Sequence, residues 1–329
     1  MGATSDRLRW AELPGEVTEE IARVLGSPVT DARDQRTGFS PGLAARVGTA
    51  DGRRAFVKAA PDSLGAAASL YRREARVLRL LPDGLPVPRL LGTVDTGEWF
   101  GLVAEEVDGR HPAGPGGESD EPAARSDASI SPAGRSASPP STTDVEAVLD
   151  VVAAAPRIAD SGLPSLTDEI AVDGWAVLAS GHDDRLSPFE REQATTLDRL
   201  SREALAHLHG DRLVHLDTRS DNVLLDAAGT VWLVDWAWAC VGAPWIDGLS
   251  MLLDARMAGA RDSERMLGHP AFADVPAEGV DALLAALAGT FRLSSLQPPP
   301  PRMGALRGFQ AREADAALDW LAERWRHRG

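Results

Sequence analysis

Along the first hundred residues, short apolar runs alternate with Gly- and Arg-rich breaks, a spacing that predicts strands around a helix. Ala44 to Val47, Arg53 to Lys58 and Phe100 to Val107 carry strand character. Between them, the stretch from Ser69 to Leu81 sets Leu70, Tyr71, Val77, Leu78 and Leu81 close to a helical period. The pattern then changes. From Gly109 to Thr143 the chain is Pro, Gly, Ser, Ala and Asp with almost no large apolar side chain, the composition of a flexible segment. Helical periodicity resumes over 144–152 and 195–209, and beyond Asp247 over 249–257, 280–293 and 311–325. The prolines from Pro298 to Pro301 separate the last two. No internal repeat interrupts this order. The expected organisation is α+β: a smaller unit over 1–108, a low-complexity segment over 109–143 and a larger, mostly helical unit over 144–329.

One short stretch breaks the helical half and carries its chemistry. Val223-Leu-Leu225 and Trp232-Leu-Val234 read as paired strands joined by the Ala227-Ala-Gly-Thr230 turn. The loop before them is His215-Leu-Asp-Thr-Arg-Ser-Asp-Asn222, and the second strand ends on Asp235. Read as H-x-D-x-x-x-x-N followed by an Asp, this is the acidic equipment of phosphoryl transfer from ATP. Asp217 would orient and deprotonate a hydroxyl, and the hairpin would return Asn222 and Asp235 to one end, where they would hold Mg²⁺. A hard Mg²⁺ ion takes a few oxygen ligands and keeps its other positions for phosphate and water. The competing reading is two buried strands with solvated carboxylates at the turns.

Lys58 is the single lysine among 34 basic residues. An arginine-biased chain that keeps one lysine points to a site needing a compact, flexible point charge, such as contact with the α- and β-phosphates of a nucleotide. A buried ammonium requires a carboxylate partner, and Glu74 lies on the apolar face of the 69–81 helix. The alternative for Glu74 is a surface carboxylate paired with neighbouring arginines.

With these residues the chain resembles the aminoglycoside phosphotransferase and choline kinase-like family, small-molecule kinases of the two-lobed protein kinase-like fold. The resemblance runs from about Gly38 to Leu253. It implies Asp217 as catalytic base, Asn222 and Asp235 as metal ligands, Lys58 with Glu74 as the phosphate-positioning pair, and His215 as a support of the catalytic loop. Asp247, in Gly242-Ala-Pro-Trp-Ile-Asp247, resembles the family's buried aspartate that accepts hydrogen bonds from that loop; a helix N-cap is the other reading. Thr37-Gly-Phe-Ser-Pro-Gly-Leu43 stands where the family has a phosphate-covering turn. Gly38 and Gly42 would let backbone approach a phosphate, with Ser40 as donor, although the same residues also suit an ordinary hairpin. Backbone of Glu105, Glu106 and Val107 would meet the adenine edge.

The catalytic loop departs from the family's commonest form, roughly His-Gly-Asp-Leu-His-Pro-Gly-Asn. Leu216 stands for the glycine, and Arg219-Ser-Asp221 for His-Pro-Gly. Arg219 either stabilises charge on the transferred phosphoryl group or salt-bridges Asp221 or Asp226. Asp235 is followed by Trp-Ala, and eleven residues separate it from Asp247, too few for the regulated activation segment of a protein kinase. Trp232, Trp236, Trp238 and Trp245 gather here as core or as pocket wall.

Composition bounds the rest. The 329 residues, 43% apolar, suffice for a large core. A net charge of −15 disfavours nucleic acid and favours cationic acceptors. The one cysteine, Cys240, suits a reducing compartment, and no stretch reads as a signal peptide or a membrane span, so the expected location is cytoplasmic. No His/Cys spacing suggests a metal site. The expected activity is O-phosphorylation of a small-molecule hydroxyl by ATP, with GTP as the other donor. An antibiotic is the first choice of acceptor, and a sugar, amino sugar or choline-like metabolite the second. A catalytically inactive kinase-like binding protein is the remaining class.

Overall fold

Five antiparallel strands in the order β1-β2-β3-β5-β4 build the N-terminal region of the computed structural model. They are β1 (Val29–Asp34), β2 (Leu43–Thr49), β3 (Arg54–Pro61), β4 (Leu90–Asp95) and β5 (Trp99–Glu105). The structure describes residues 7–35, 38–112, 139–158, 161–181 and 183–328. The low-complexity segment expected over 109–143 falls mostly on 113–138, which lie outside the described residues.

Strand alternation gives the sheet two apolar faces. On one, Ala55, Val57 and Ala59 of β3 join Val103 of β5 against Val17, Ile21 and Leu25 of α1 (Gly15–Leu25). On the other, Ala60, Phe100, Leu102 and Ala104 meet Ala67, Ala68, Tyr71 and Ala75 of α2 (Ala66–Leu80). The sequence reading expected one helix here; the structure has two. Val17, Ile21 and Leu25 form the inward stripe of α1, and Gly26 closes it in the left-handed conformation at φ 72°.

The C-terminal region is helical around two short two-stranded sheets. Its helices are α3 (Thr142–Ala153), α4 (Leu166–Glu169), α5 (Gly174–Gly181), α6 (Pro188–Glu203), α7 (Trp245–Met257), α8 (Ser263–Met266), α9 (Ala277–Ser295) and α10 (Leu306–Arg328). Four sit where periodicity placed them. α6 begins seven residues before the expected Thr195, because Ser187 and Glu190 form a reciprocal capping box with Pro188 at the first helical position. β6 (Arg212–Val214) pairs with β9 (Cys240–Gly242), and β7 (Val223–Leu225) with β8 (Val231–Leu233). The second pair is the expected hairpin, with Val223 opposite Leu233. One apolar core runs from Val148 and Leu149 of α3 through Trp175 and Leu197 to Leu252, Leu284 and Trp320. Among the described residues no helix is long and apolar enough to cross a membrane.

Candidate active site

β3 sets Lys58 in mid-sheet, opposite Ala44 of β2 and Leu102 of β5, on the α2 side. Glu74 projects from the buried face of α2 and meets it: Lys58 Nζ donates to Glu74 Oε2 at 2.7 Å and stands 3.2 Å from Asp235 Oδ1. Burial works against the Lys58 ammonium, but Asp235 and Glu74 outweigh it and raise its pKa. Burial pushes the Glu74 carboxyl up while Lys58 pulls it back. Asp235 feels burial too, yet Lys58 holds its carboxyl below the ordinary range. Its side chain remains 46% exposed to the cleft, so one lysine joins a buried anchor to an accessible carboxylate.

The loop from His215 to Asn222 faces this group from the C-terminal region. His215 is buried, and its Nε2 lies 3.0 Å from the Val234 carbonyl while Nδ1 accepts from the Asp217 N–H. Burial lowers its pKa to about 4, so at neutral pH the ring is uncharged and Nε2 carries the proton. Asp247 accepts from the His215 N–H at 2.7 Å and the Leu216 N–H at 2.8 Å. It occupies the third position of α7, whose N-cap is Pro244, so the helix-capping alternative does not describe it. Burial raises its pKa to about 6 against the pull of the two N–H groups. Leu216 is held at φ 66°, in the left-handed region that glycine takes at no steric cost. Its two flanking bonds to one buried carboxylate hold the loop in that conformation.

Asp217 is gripped on both sides. Arg219 Nη1 donates to its Oδ1 at 2.5 Å, and Asn222 Nδ2 donates to its Oδ2 at 2.9 Å. Burial nonetheless raises its pKa to about 7, with Arg219 the main opposing influence. Arg219 also clasps Asp221 through Nε at 3.0 Å and Nη2 at 3.2 Å, and its guanidinium lies 5.5 Å from the Phe309 ring of α10. Asp226 is instead bound by Trp232 and by backbone N–H groups of its own turn. With Asn222 Nδ2 committed to Asp217, no described hydrogen bond claims its Oδ1. That amide oxygen and the exposed Asp235 carboxylate lie at adjoining ends of the β7–β8 hairpin. Hard oxygen donors of this kind, too few to fill a coordination shell, could hold Mg²⁺. Among the described residues no cluster of three or more His, Cys, Asp or Glu side chains forms a metal site by itself.

A cavity lies between the two regions, lined by Lys58, Glu74, Leu102, Ala104, Asn222 and Asp235. Glu105 and Val107 line it as well, whereas the Glu106 carboxylate turns to Arg54 at 2.6 Å and Arg46 at 3.4 Å and braces β2 and β3. Of the glycine-rich loop, Gly38 lines the cavity at φ 87°. The Ser40 hydroxyl is hydrogen-bonded to the Tyr71 hydroxyl at 2.7 Å, and Gly42 packs on the same ring. Thr37 lies outside the described residues. Trp236 and Trp245 are core residues, the former edge-on to the His215 ring, while Trp238 is 40% exposed under the Arg73 guanidinium.

Two residues that brace the catalytic loop are not marked by the sequence pattern. Asp254, one heptad beyond Asp247 on α7, accepts from both the N–H and the hydroxyl of Ser220 at 2.9 and 2.6 Å. An acid repeated at i+7 on an otherwise apolar helix was the available signal, since a buried carboxylate requires donors. His111 packs its Nδ1 against the Ser220 and Val223 carbonyls, and nothing in its neighbourhood marked it.

Sheet, helical half and facing polar groups together define a small-molecule kinase of the protein kinase-like fold. The chain belongs to the phosphotransferase enzyme family, whose model matches residues 37–274. Choline kinase LicA from Streptococcus pneumoniae superposes with a TM-score of 0.58 at 14% identity, over 93% of this chain and 98% of that one. The AMP-bound spectinomycin phosphotransferase APH(9)-Ia gives 0.55 at 9% identity, over 92% and 95%. No curated protein matches the sequence.

Proposed function

We propose that the protein transfers the γ-phosphoryl group of ATP to a hydroxyl of a small, cationic antibiotic. The observation that carries the reading is the Asp217 carboxylate. It is held between Arg219 and Asn222 with a pKa of about 7, on the same side of the cleft as Asp235, which the Glu74–Lys58 pair meets from the sheet side. A carboxylate poised near neutrality accepts a proton more readily than an ordinary aspartate and stays ionised in a useful fraction. The acceptor hydroxyl gives its proton to Asp217 as its oxygen forms a bond to the γ-phosphorus, and the bond to the bridging oxygen breaks to release ADP. Lys58, fixed by Glu74, neutralises phosphate charge; most of the acceleration then comes from positioning and electrostatics. Asn222 and Asp235 would hold Mg²⁺, which supplies charge neutralisation on the phosphates. Glu105 and Val107 border the cavity where adenine would lie. The AMP-bound relatives, LicA and APH(9)-Ia, support an adenine nucleotide as donor rather than GTP.

The acceptor class rests on charge. Asp217, Asp221 and Glu313 surround Arg219, and the chain carries a net −15, an environment that draws a polycation. The second reading, a choline-like or amino-sugar metabolite, shares the cation and is favoured by the likeness to choline kinase LicA. Mass spectrometry of reactions with Mg-ATP and a panel of aminoglycosides, other antibiotics, amino sugars and choline distinguishes them. The proposal expects an antibiotic one phosphoryl group heavier. Labelling of choline or an amino sugar alone establishes the second reading. Tight ATP binding without transfer to any of them would indicate an inactive kinase-like protein.

A further inference from the structure

A nucleoside triphosphate brings about four negative charges, and this cavity is poorly supplied to receive them. Among the described residues, the lysine and arginine side chains lining it are Arg7, Arg46 and Lys58, set against the carboxylates of Glu74, Glu105, Asp221 and Asp235. Lys58 is shared between Glu74 and Asp235, and Arg46 is paired with Glu106. Arg7 differs: no carboxylate and no hydrogen-bond acceptor meets its guanidinium among the described residues, and its Nε is buried without a partner. Buried N–H donors are rarely left unpaired, because stripping them of water costs stability unless an acceptor replaces it.

The chain places Arg7 there by non-local contacts. The Leu8 N–H donates to the Pro41 carbonyl at 3.1 Å, and the Trp10 N–H to Asp34 Oδ1 at 2.9 Å, so the segment before α1 runs along the glycine-rich loop. Leu8, Trp10 and Leu13 pack on the apolar cluster beneath β2. The guanidinium reaches the loop backbone so closely that a methyl group on Gly38 would stand 2.7 Å from Nη2. Its charge is also felt at Tyr71, whose ring centroid is 5.9 Å from Lys58 Nζ.

We infer that Arg7 is a phosphate-binding residue of the nucleotide site, delivered from the segment preceding α1 and standing beside the glycine-rich loop in the cavity that Lys58 also lines. The inference rests on the nucleotide-dependent reading above. A planar guanidinium offers paired donors to phosphate oxygens, which Lys58 cannot do as a point charge. The segment before α1 thereby becomes part of the donor site although it lies outside the family match at 37–274.

The test is competition binding of Mg-ATP and of adenosine to the full chain, native and with Arg7→Ala or Arg7→Lys. Charge-assisted bonds to phosphate correspond to roughly tenfold to a hundredfold in affinity. Arg7→Ala should weaken ATP by about that factor and leave adenosine unchanged, and Arg7→Lys should recover part of the loss. Parallel loss of ATP and adenosine would show that Arg7 only packs the segment, and would overturn the inference. Unchanged or tighter ATP binding by Arg7→Ala would overturn it as well, while leaving the phosphotransferase reading intact. A native chain that binds neither ligand would remove both.

Discussion

Replacing Arg219 by alanine should shift the pH dependence of turnover, because this guanidinium is what keeps the partly buried Asp217 carboxyl from titrating higher still. With Nη1 and Oδ1 2.5 Å apart, the centres of charge are about 4 Å apart, an interaction of about 4 kcal/mol at an effective dielectric of 20. That corresponds to about 3 pKa units. The two side chains are 19% and 24% exposed, so water takes part of this. Asp221, released from the same arginine, adds a repulsion in the same direction. The acidic limb of kcat/KM, which reports the free enzyme, should therefore move up from about 7 by at least about one unit. A shift of one unit lowers the ionised fraction at pH 7 from about one half to about one tenth. Rates between pH 5.5 and 9.5 for the native chain, Arg219→Ala and Arg219→Lys measure it. The alanine variant should recover at high pH and the lysine variant should keep the native limb. A limb that stays in place while the rate falls at every pH would refute this reasoning and assign Arg219 to the phosphoryl group. An unchanged turnover number would take it out of catalysis altogether.

Other perturbations separate anchoring from chemistry. Glu74→Gln removes the carboxylate 2.7 Å from Lys58, and steady-state kinetics should show kcat/KM for ATP down by about tenfold or more, since a charge-assisted bond of that kind contributes roughly 1.5–3 kcal/mol. Asp254→Ala deprives Ser220 of both its bonds; an unpaired N–H costs roughly 1–3 kcal/mol, and calorimetry should show a melting point several degrees lower together with reduced turnover. Asp247 has a folded-state pKa of about 6 against the ordinary 3.8, so its buried charge costs stability above pH 6 and that cost fades as pH falls towards 4. Urea titrations should show the native chain gaining up to about 3 kcal/mol on Asp247→Asn between pH 7 and pH 4; a gap independent of pH would contradict the burial argument.

Local patterns were legible where local rules decide the structure. The Lys58–Glu74 pair followed from one lysine and one inward-facing acid, and the β7–β8 hairpin from two apolar runs and a glycine turn. α1 was missed although Val17, Ile21 and Leu25 repeat at i+4 and Gly26 caps them, because the stripe is narrow and its partner face belongs to strands distant in sequence, from Leu43 of β2 to Val103 of β5. The left-handed Leu216 could not be read from its own side chain. Its conformation is set by Asp247, 31 positions later. Arg7 was illegible for the same reason: its place depends on the Leu8–Pro41 bond, which no periodicity announces. Ser40 shows the converse, a donor suited to a phosphate whose hydroxyl bonds Tyr71.

The most direct test of the central claim is single-turnover transfer from γ-labelled ATP to the acceptor identified in the panel, by the native chain and by Asp217→Asn. The variant keeps the size of the side chain and removes its ability to take a proton. The account predicts ATP affinity within a few-fold of native and a transfer rate lower by about 10²–10⁴. Transfer by Asp217→Asn at the native rate would contradict it.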